Sequence, residues 1–136
     1  MKDTILTRII LPSHTMLEID ATMVNIPGTD GMFGVLPHHS KLVSDIDIGI
    51  ITIFSDSTKK KYFVYRGIAQ VNGTELNITS EFVMDLQTIS KSEINAQISK
   101  LKSNLSDEKE DSLERSIISD KIIQYQKLLS FVPSSN

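Results

Sequence analysis

The sequence predicts an all-β N-terminal sandwich followed by a C-terminal antiparallel α-helical hairpin. Three observations lead there. In the first part of the chain apolar residues alternate with polar ones, as in half-buried strands. The runs are rich in β-branched residues and are broken by Gly, Pro and Asn-Gly. Past Ser90 the apolar period becomes helical and glycine disappears. The division assigns residues 1–87 to the sandwich and 88–136 to the hairpin.

Met1 to Ile5 run directly into a strand-like segment. They lack the apolar core of a signal peptide and the Arg-rich character of a transit peptide, so the expected location is cytosolic. Leu17, Ile19, Ala21 and Met23 then alternate with Glu18, Asp20 and Thr22. The apolar phase switches to Val24 and Ile26, which predicts a bulge or a crossing between sheets. Ile46, Ile48 and Ile50 repeat the pattern, and beyond Gly49 the phase passes to Ile51 and Ile53. Tyr62–Tyr65 and Ile68–Val71 are further strands. Asn72-Gly73 is a tight-turn signal before Leu76 and Ile78.

Ser90-Lys91-Ser92-Glu93 has the form of a capping box, and Ile94, Ile98, Leu101 and Leu105 follow at helical spacing. Ser103-Asn104 and Ser106-Asp107 read as a turn, with Asp107 and Glu110 capping a second helix. Its apolar stripe is Leu113, Ile117, Ile118, Ile122, Tyr125, Leu128 and Leu129, with Ile123 beside the main row. Asp111 and Arg115 stand at i,i+4 and are expected to pair. A helix apolar on more than one stripe needs more than one neighbour to bury it. A hairpin that changes partners and a permanently packed one both satisfy that condition.

Composition narrows the function. The chain has 136 residues, a net charge of −3, no Cys and no Trp. The charge disfavours nucleic acid as the main partner. Disulfides, Cys-based zinc sites and thiol nucleophiles are excluded. No apolar run approaches the roughly 18 residues that span a bilayer.

No motif carries catalytic chemistry. His38-His39 is the most tempting metal pair, but neighbours on a strand point to opposite faces, so a loop role is the simpler reading. Pro27–Gly34 is rich in Gly but lacks the Gly-Lys-Ser/Thr ending of a P-loop. Its glycines serve a tight loop, and Met32-Phe33 at its tip is either a docking element or a part of the core. Asp45, Asp47 and Asp56 sit where solvation explains them, and Lys59-Lys60-Lys61 reads as a solvated hairpin tip.

Val24–Val43 contains Gly28, Gly31, Gly34, Val35, Pro37, His39 and Leu42. It resembles the pattern G-x-x-G-x-x-G-[IV]-x-P-[GN]-H-x-P-L of the epsilon subunit family of F-type ATP synthases, departing at His38 (usually Gly or Asn) and Lys41 (usually Pro). Asp47–Ile53 is similar to the family's next strand. Tyr62–Val71 is similar to Y-x-V-x-G-G-x-x-x-V, with Arg66 in place of the first Gly.

The resemblance implies a ten-stranded sandwich and a hairpin, in a non-catalytic central-stalk subunit that binds the gamma subunit and the c ring and couples rotation to ATP synthesis. It implies a c-ring-facing loop of Gly28, Thr29, Asp30, Gly31 and Met32. It places the gamma-contact region around His39 and Leu42. It also implies a hairpin that inhibits ATP hydrolysis through contacts with the alpha and beta subunits, for which Arg115, Lys121 and Lys127 are the candidate cations. The family's ATP motif [IL]-D-x-x-R-A falls on Ile89–Ile94, where Ser90 replaces Asp and Glu93 replaces Arg; ATP is therefore not expected as a ligand, and no metal or other cofactor is implied. The implied place is the cytoplasmic face of a bacterial inner membrane, with a plastid as the alternative. The rival readings are a soluble two-part adaptor and, behind it, a small metalloenzyme using His38 and His39.

Overall fold

In the computed structural model, which describes residues 3–108 and 112–133, ten strands precede two helices among the described residues. The strands are β1 (Ile5–Ile10), β2 (Thr15–Ala21), β3 (Met23–Gly28), β4 (Gly31–Val35), β5 (Leu42–Ile46), β6 (Gly49–Ser55), β7 (Thr58–Val64), β8 (Gly67–Asn72), β9 (Glu75–Thr79) and β10 (Val83–Asp85). The helices are α1 (Lys91–Ser106) and α2 (Leu113–Leu129). The chain divides into two compact units, residues 1–87 and 88–136.

The strands form one ladder in the order β10-β7-β6-β3-β5-β8-β9-β1-β2, with β4 paired to β3. It folds over as a ten-stranded sandwich around a single apolar core. Ile5, Ile9, Val24, Ile26, Ile51, Ile53, Leu76 and Ile78 are fully buried there. β1 alternates strictly between buried and half-buried positions, as a strand with one face on a core must. Each such isoleucine contributes about 1.5–3 kcal/mol by leaving water.

Both phase switches are changes of pairing partner. β2 pairs with β1, whereas β3 pairs with β4, β5 and β6. Thr22 stands between β2 and β3, its N–H donating to Phe54 O at 2.7 Å. Likewise β5 pairs with β8 while β6 pairs with β7. The register moves because the chain crosses to a different part of the sheet, and no bulge is needed.

Two local expectations are corrected. Pro27–Gly34 is mostly strand: β3 and β4 pair from Val24↔Val35 to Gly28↔Gly31, leaving only Thr29 and Asp30 as the turn. Lys59-Lys60-Lys61 lies along β7, and the hairpin tip is Asp56-Ser57. Pairing Ser55 with Thr58 fixes the register, so the lysines alternate across the strand. Lys59 Nζ stands 5.7 Å from the Phe54 ring centroid.

One pairing is parallel, β1 with β9. Arg8, central in β1, ties it sideways: Nε donates to Glu18 Oε2 on β2 at 2.6 Å and Nη1 donates to Glu75 on β9. The two carboxylate partners hold the guanidinium above its already high ordinary pKa.

In the second unit, α1 begins at Ser90, whose side-chain oxygen accepts from Glu93 N at 3.3 Å. Ile94 and Ile98 are its buried residues. The turn expected at Ser103-Asn104 is absent; the helix runs on to Ser106, whose hydroxyl donates to Ser103 O at 2.8 Å. The Ser106 side chain thus finds its partner within the helix instead of in a turn. Asp107 is the C-cap of α1, and the N-cap of α2 is Ser112, which accepts from Arg115 N at 3.0 Å. The Glu110 cap and the Asp111–Arg115 pair fall outside the described residues.

The two helices pack on one another. The apolar stripe of α2 is divided: Ile122 and Leu128 are buried, whereas Leu113 is 71% and Ile117 48% exposed. No helix among the described residues is long and apolar enough to cross a membrane.

Candidate functional site

The first candidate surface is the β3–β4 turn. Pairing of Gly28 with Gly31 places Thr29 and Asp30 at the tip, both exposed. Gly31 has φ +122°, which a side chain rarely tolerates. A Cβ on Gly28 would stand 2.9 Å from both Gly31 O and the Phe33 ring. The glycines thus allow a sharp turn and let Phe33 fold beneath it. Phe33 packs against the core, and Met32 points away, 63% exposed. Of the two apolar residues near the tip, one anchors the turn and the other is free to meet a partner.

Beside this turn lies a cleft of about 280 Å³ lined by Thr29, Asp45, Ile46, Asp47, Arg66 and Gly67. Asp47 N donates to Pro27 O at 2.7 Å, and Asp47 Oδ1 accepts from Ile48 N at 2.8 Å. Arg66 stacks on Tyr65 at 5.4 Å. Asp45 and Asp47, two of the three carboxylates singled out in the sequence, thus line the cleft together with Arg66, whereas Asp56 lies at the β6–β7 tip.

The second surface follows β4. His38 and His39 belong to a turn, not a strand: His39 N donates to Leu36 O at 3.1 Å. His39 Nδ1 lies 2.7 Å from Ser40 O, so that ring nitrogen carries the proton. His38 Nε2 lies 3.7 Å from Asp3 Oδ2, with both side chains mostly exposed. Among the described residues no three His, Cys, Asp or Glu side chains gather as metal ligands. Leu42 packs partly on the core, while Val43 is 68% exposed. Val43 pairs with Gln70, and Asp45 with Ile68. Val43 and Ile68 are thereby diagonal neighbours on the outer face.

The third candidate, α2, does not gather its cations. Arg115, Lys121 and Lys127 are successive sixth residues, so each stands about 240° around the helix from the last. They occupy three faces. Arg115 is also engaged: Nη1 donates to Leu105 O at 3.0 Å, satisfying a carbonyl in the last turn of α1. Lys121 and Lys127 are exposed. At the start of α1, Ser90 Oγ donates to Glu93 Oε1 at 2.9 Å, so the two residues that replace the resembled family's Asp and Arg bond to each other.

The family model for the ATP synthase delta/epsilon chain, beta-sandwich domain, matches residues 4–85. This chain belongs to that family. Among its relatives, the ATP synthase epsilon chain of Rickettsia felis is 32% identical over 111 residues, covering 79% of this chain and 99% of that one. The ATP synthase epsilon chain of Rhodospirillum centenum is 30% identical over 140 residues, covering 98% and 95%. The fold is also that of a chain in the Euglena gracilis mitochondrial ATP synthase (OSCP/F1/c-ring), with a TM-score of 0.64 at 18% identity over 94% of this chain and 81% of that one. A chain in the Tetrahymena thermophila mitochondrial ATP synthase central stalk/c-ring has a TM-score of 0.54 at 10% identity, over 95% and 97%.

As an epsilon-family chain, it departs from the pattern at two informative places. His38 and Arg66, which stand where the pattern has Gly or Asn and Gly, have φ +67° and +61°. The left-handed backbone is kept although the residue that suits it is gone. No composition or periodicity signal marks such positions; only the glycines of the family pattern do.

Proposed function

We propose that this chain is a central-stalk subunit of an F-type ATP synthase that binds the gamma subunit and the c ring and transmits rotation between them, without a catalytic site of its own. The family match across the sandwich carries this reading. The exposed Thr29-Asp30 tip with Met32 supports a loop that meets the ring's polar ends. The face around His39, Leu42 and Val43 supports a gamma contact, because Val43 and its neighbour Ile68 offer apolar side chains to solvent on the sheet. In this reading the chain sits, through the complex, on the cytoplasmic face of a bacterial inner membrane.

In the same reading the hairpin regulates hydrolysis. Its support is the exposed apolar row Leu113–Ile117 at i,i+4, together with Lys121 and Lys127; Arg115 serves α1 instead. ATP is not its signal. Glu93 puts a carboxylate in the first turn, where a triphosphate would be repelled. Labelled ATP bound by the isolated chain at sub-millimolar concentration would contradict that.

The chain has no cysteine, so Met32→Cys and His39→Cys each introduce a single thiol. In solubilised synthase carrying these variants, a cross-linker on residue 32 is expected to capture a c subunit, and one on residue 39 the gamma subunit. Capture of neither, with recovery of an unrelated soluble protein, would replace this reading by a two-part adaptor.

A further inference from the structure

The β8–β9 hairpin carries a feature that the stalk role does not use. Asn72 pairs with Glu75, leaving Gly73 and Thr74 as a two-residue turn. Asn72-Gly73 is the only Asn-Gly step in the sequence: Asn25 and Asn77 precede Ile, Asn95 precedes Ala and Asn104 precedes Leu. Both residues of the step are exposed. Gly73 has φ +68°, and the space a Cβ would take is empty to 4 Å. Among the described residues, the Asn72 carboxamide has no hydrogen-bond partner and the Gly73 N–H has no backbone acceptor. The nucleophile and the electrophile are therefore adjacent, unengaged and unshielded.

We propose that Asn72 is a self-modifying site, at which the chain converts its own asparagine to aspartate and isoaspartate. The Gly73 backbone nitrogen attacks Asn72 Cγ and forms a C–N bond. The bond from Cγ to the side-chain nitrogen breaks, and ammonia leaves with the proton that Gly73 gives up. One water then opens the five-membered imide. Attack at Cγ gives aspartate, and attack at the backbone carbonyl carbon gives isoaspartate. Neither oxidant nor enzyme is required. A residue with a side chain after Asn would crowd the attacking nitrogen, which sets this step apart from the other asparagines.

The location gives the change a consequence. A carboxylate at position 72 stands directly across from Glu75, and like charges in opposed positions destabilise a strand pair. Glu75 is also one of the two carboxylates that hold Arg8. Isoaspartate adds a backbone carbon ahead of a two-residue turn, which disturbs the β8–β9 register. The chain thus carries an age-dependent weakening of one hairpin.

The test is prolonged incubation of the full chain at neutral pH, folded and in parallel in urea, followed by peptide mapping after cleavage at both Arg66 and Glu75, which separates Asn72 from Asn25 and Asn77. In the folded chain the peptide containing residue 72 is expected to show the mass increase of an amide replaced by an acid and to become a substrate for isoaspartyl methyl transfer. The peptides containing Asn25, Asn77, Asn95 and Asn104 are expected to stay unchanged. Asn72→Ser should abolish the shift, and Asn72→Asp should lower the urea midpoint. If the residue-72 peptide of the folded chain stays intact, the proposal fails, whether or not the urea sample converts. An Asn72→Asp midpoint equal to that of the parent would overturn the stated consequence.

Discussion

The sandwich and the hairpin bury apolar surface in different ways. In the sandwich, β1, β3, β6 and β9 each present inward residues that are fully covered, and the core draws on strands far apart in sequence. In the hairpin, α1 buries Ile94 and Ile98 and α2 buries Ile122 and Leu128, while Leu113, Ile117 and Ile123 stay about half exposed or more. A shared core restricts a sequence through many partners at once. A helix pair is restricted mainly along one stripe, and what lies off that stripe is free to vary or to serve a partner.

The sharpest way to break this contrast is truncation on each side of it. Ile9→Ala empties a fully buried site and is expected to cost about 2–5 kcal/mol in urea unfolding. Ile117→Ala on the exposed row of α2 should stay within about 0.5 kcal/mol. Equal costs would mean that the α2 row is covered, and the contrast would fall. Gly67→Ala is the next largest effect. Its Cβ would stand 2.4 Å from Thr79 O, against backbone that cannot turn aside, and a loss of about 1–3 kcal/mol is expected.

Ser90→Ala removes the α1 cap and should cost about 1 kcal/mol. Hydrogen exchange should accelerate in α1 and leave β1 and β9 protected, if the two units differ as described. His38→Gly has the opposite sign. It releases about 1–2 kcal/mol of left-handed strain and returns about 0.5–1 kcal/mol to the freer unfolded chain, for a small net gain in thermal stability.

The smallest effect is a pH dependence. Burial pushes the Tyr62 hydroxyl above its ordinary pKa, with the charge of Asp85 adding to it. A raised acid favours the folded state while it holds its proton. This stability is therefore complete below the unfolded value of about 10 and is lost as pH rises through the higher folded value. Tyr62→Phe should flatten the alkaline fall in unfolding midpoint.

Local chemistry explains what could be read from the chain. The Ser90 cap, the Ile94–Ile98 stripe and the buried run Tyr62-Phe63-Val64 depend on residues a turn or a strand apart, and each stands where its pattern put it. The turn at Asn72-Gly73 is displaced by one residue, because pairing of Asn72 with Glu75 makes Gly73 and Thr74 its centre. The parallel pairing of β1 with β9 had no local sign, since Arg8 and Asn77, far apart in sequence, meet only in the assembled sheet. The turn expected at Ser103-Asn104 is instead the last part of α1, because propensity is a weak local preference that the continuing helix overrides. At the candidate surfaces, the glycines of the β3–β4 turn were legible. The loss of Arg115 as a free cation was not, because its partner is a carbonyl on the other helix.

If the proposed stalk role is right, the sandwich holds the chain in the synthase and the hairpin is accessory to that attachment. The most direct measurement is co-isolation from solubilised membranes of the source cells, with the full chain and a chain ending at Gln87 each tagged, and partners identified by mass spectrometry. Both are expected to recover gamma together with alpha, beta and c subunits. Recovery of these subunits by the full chain alone, or by neither, would contradict that expectation.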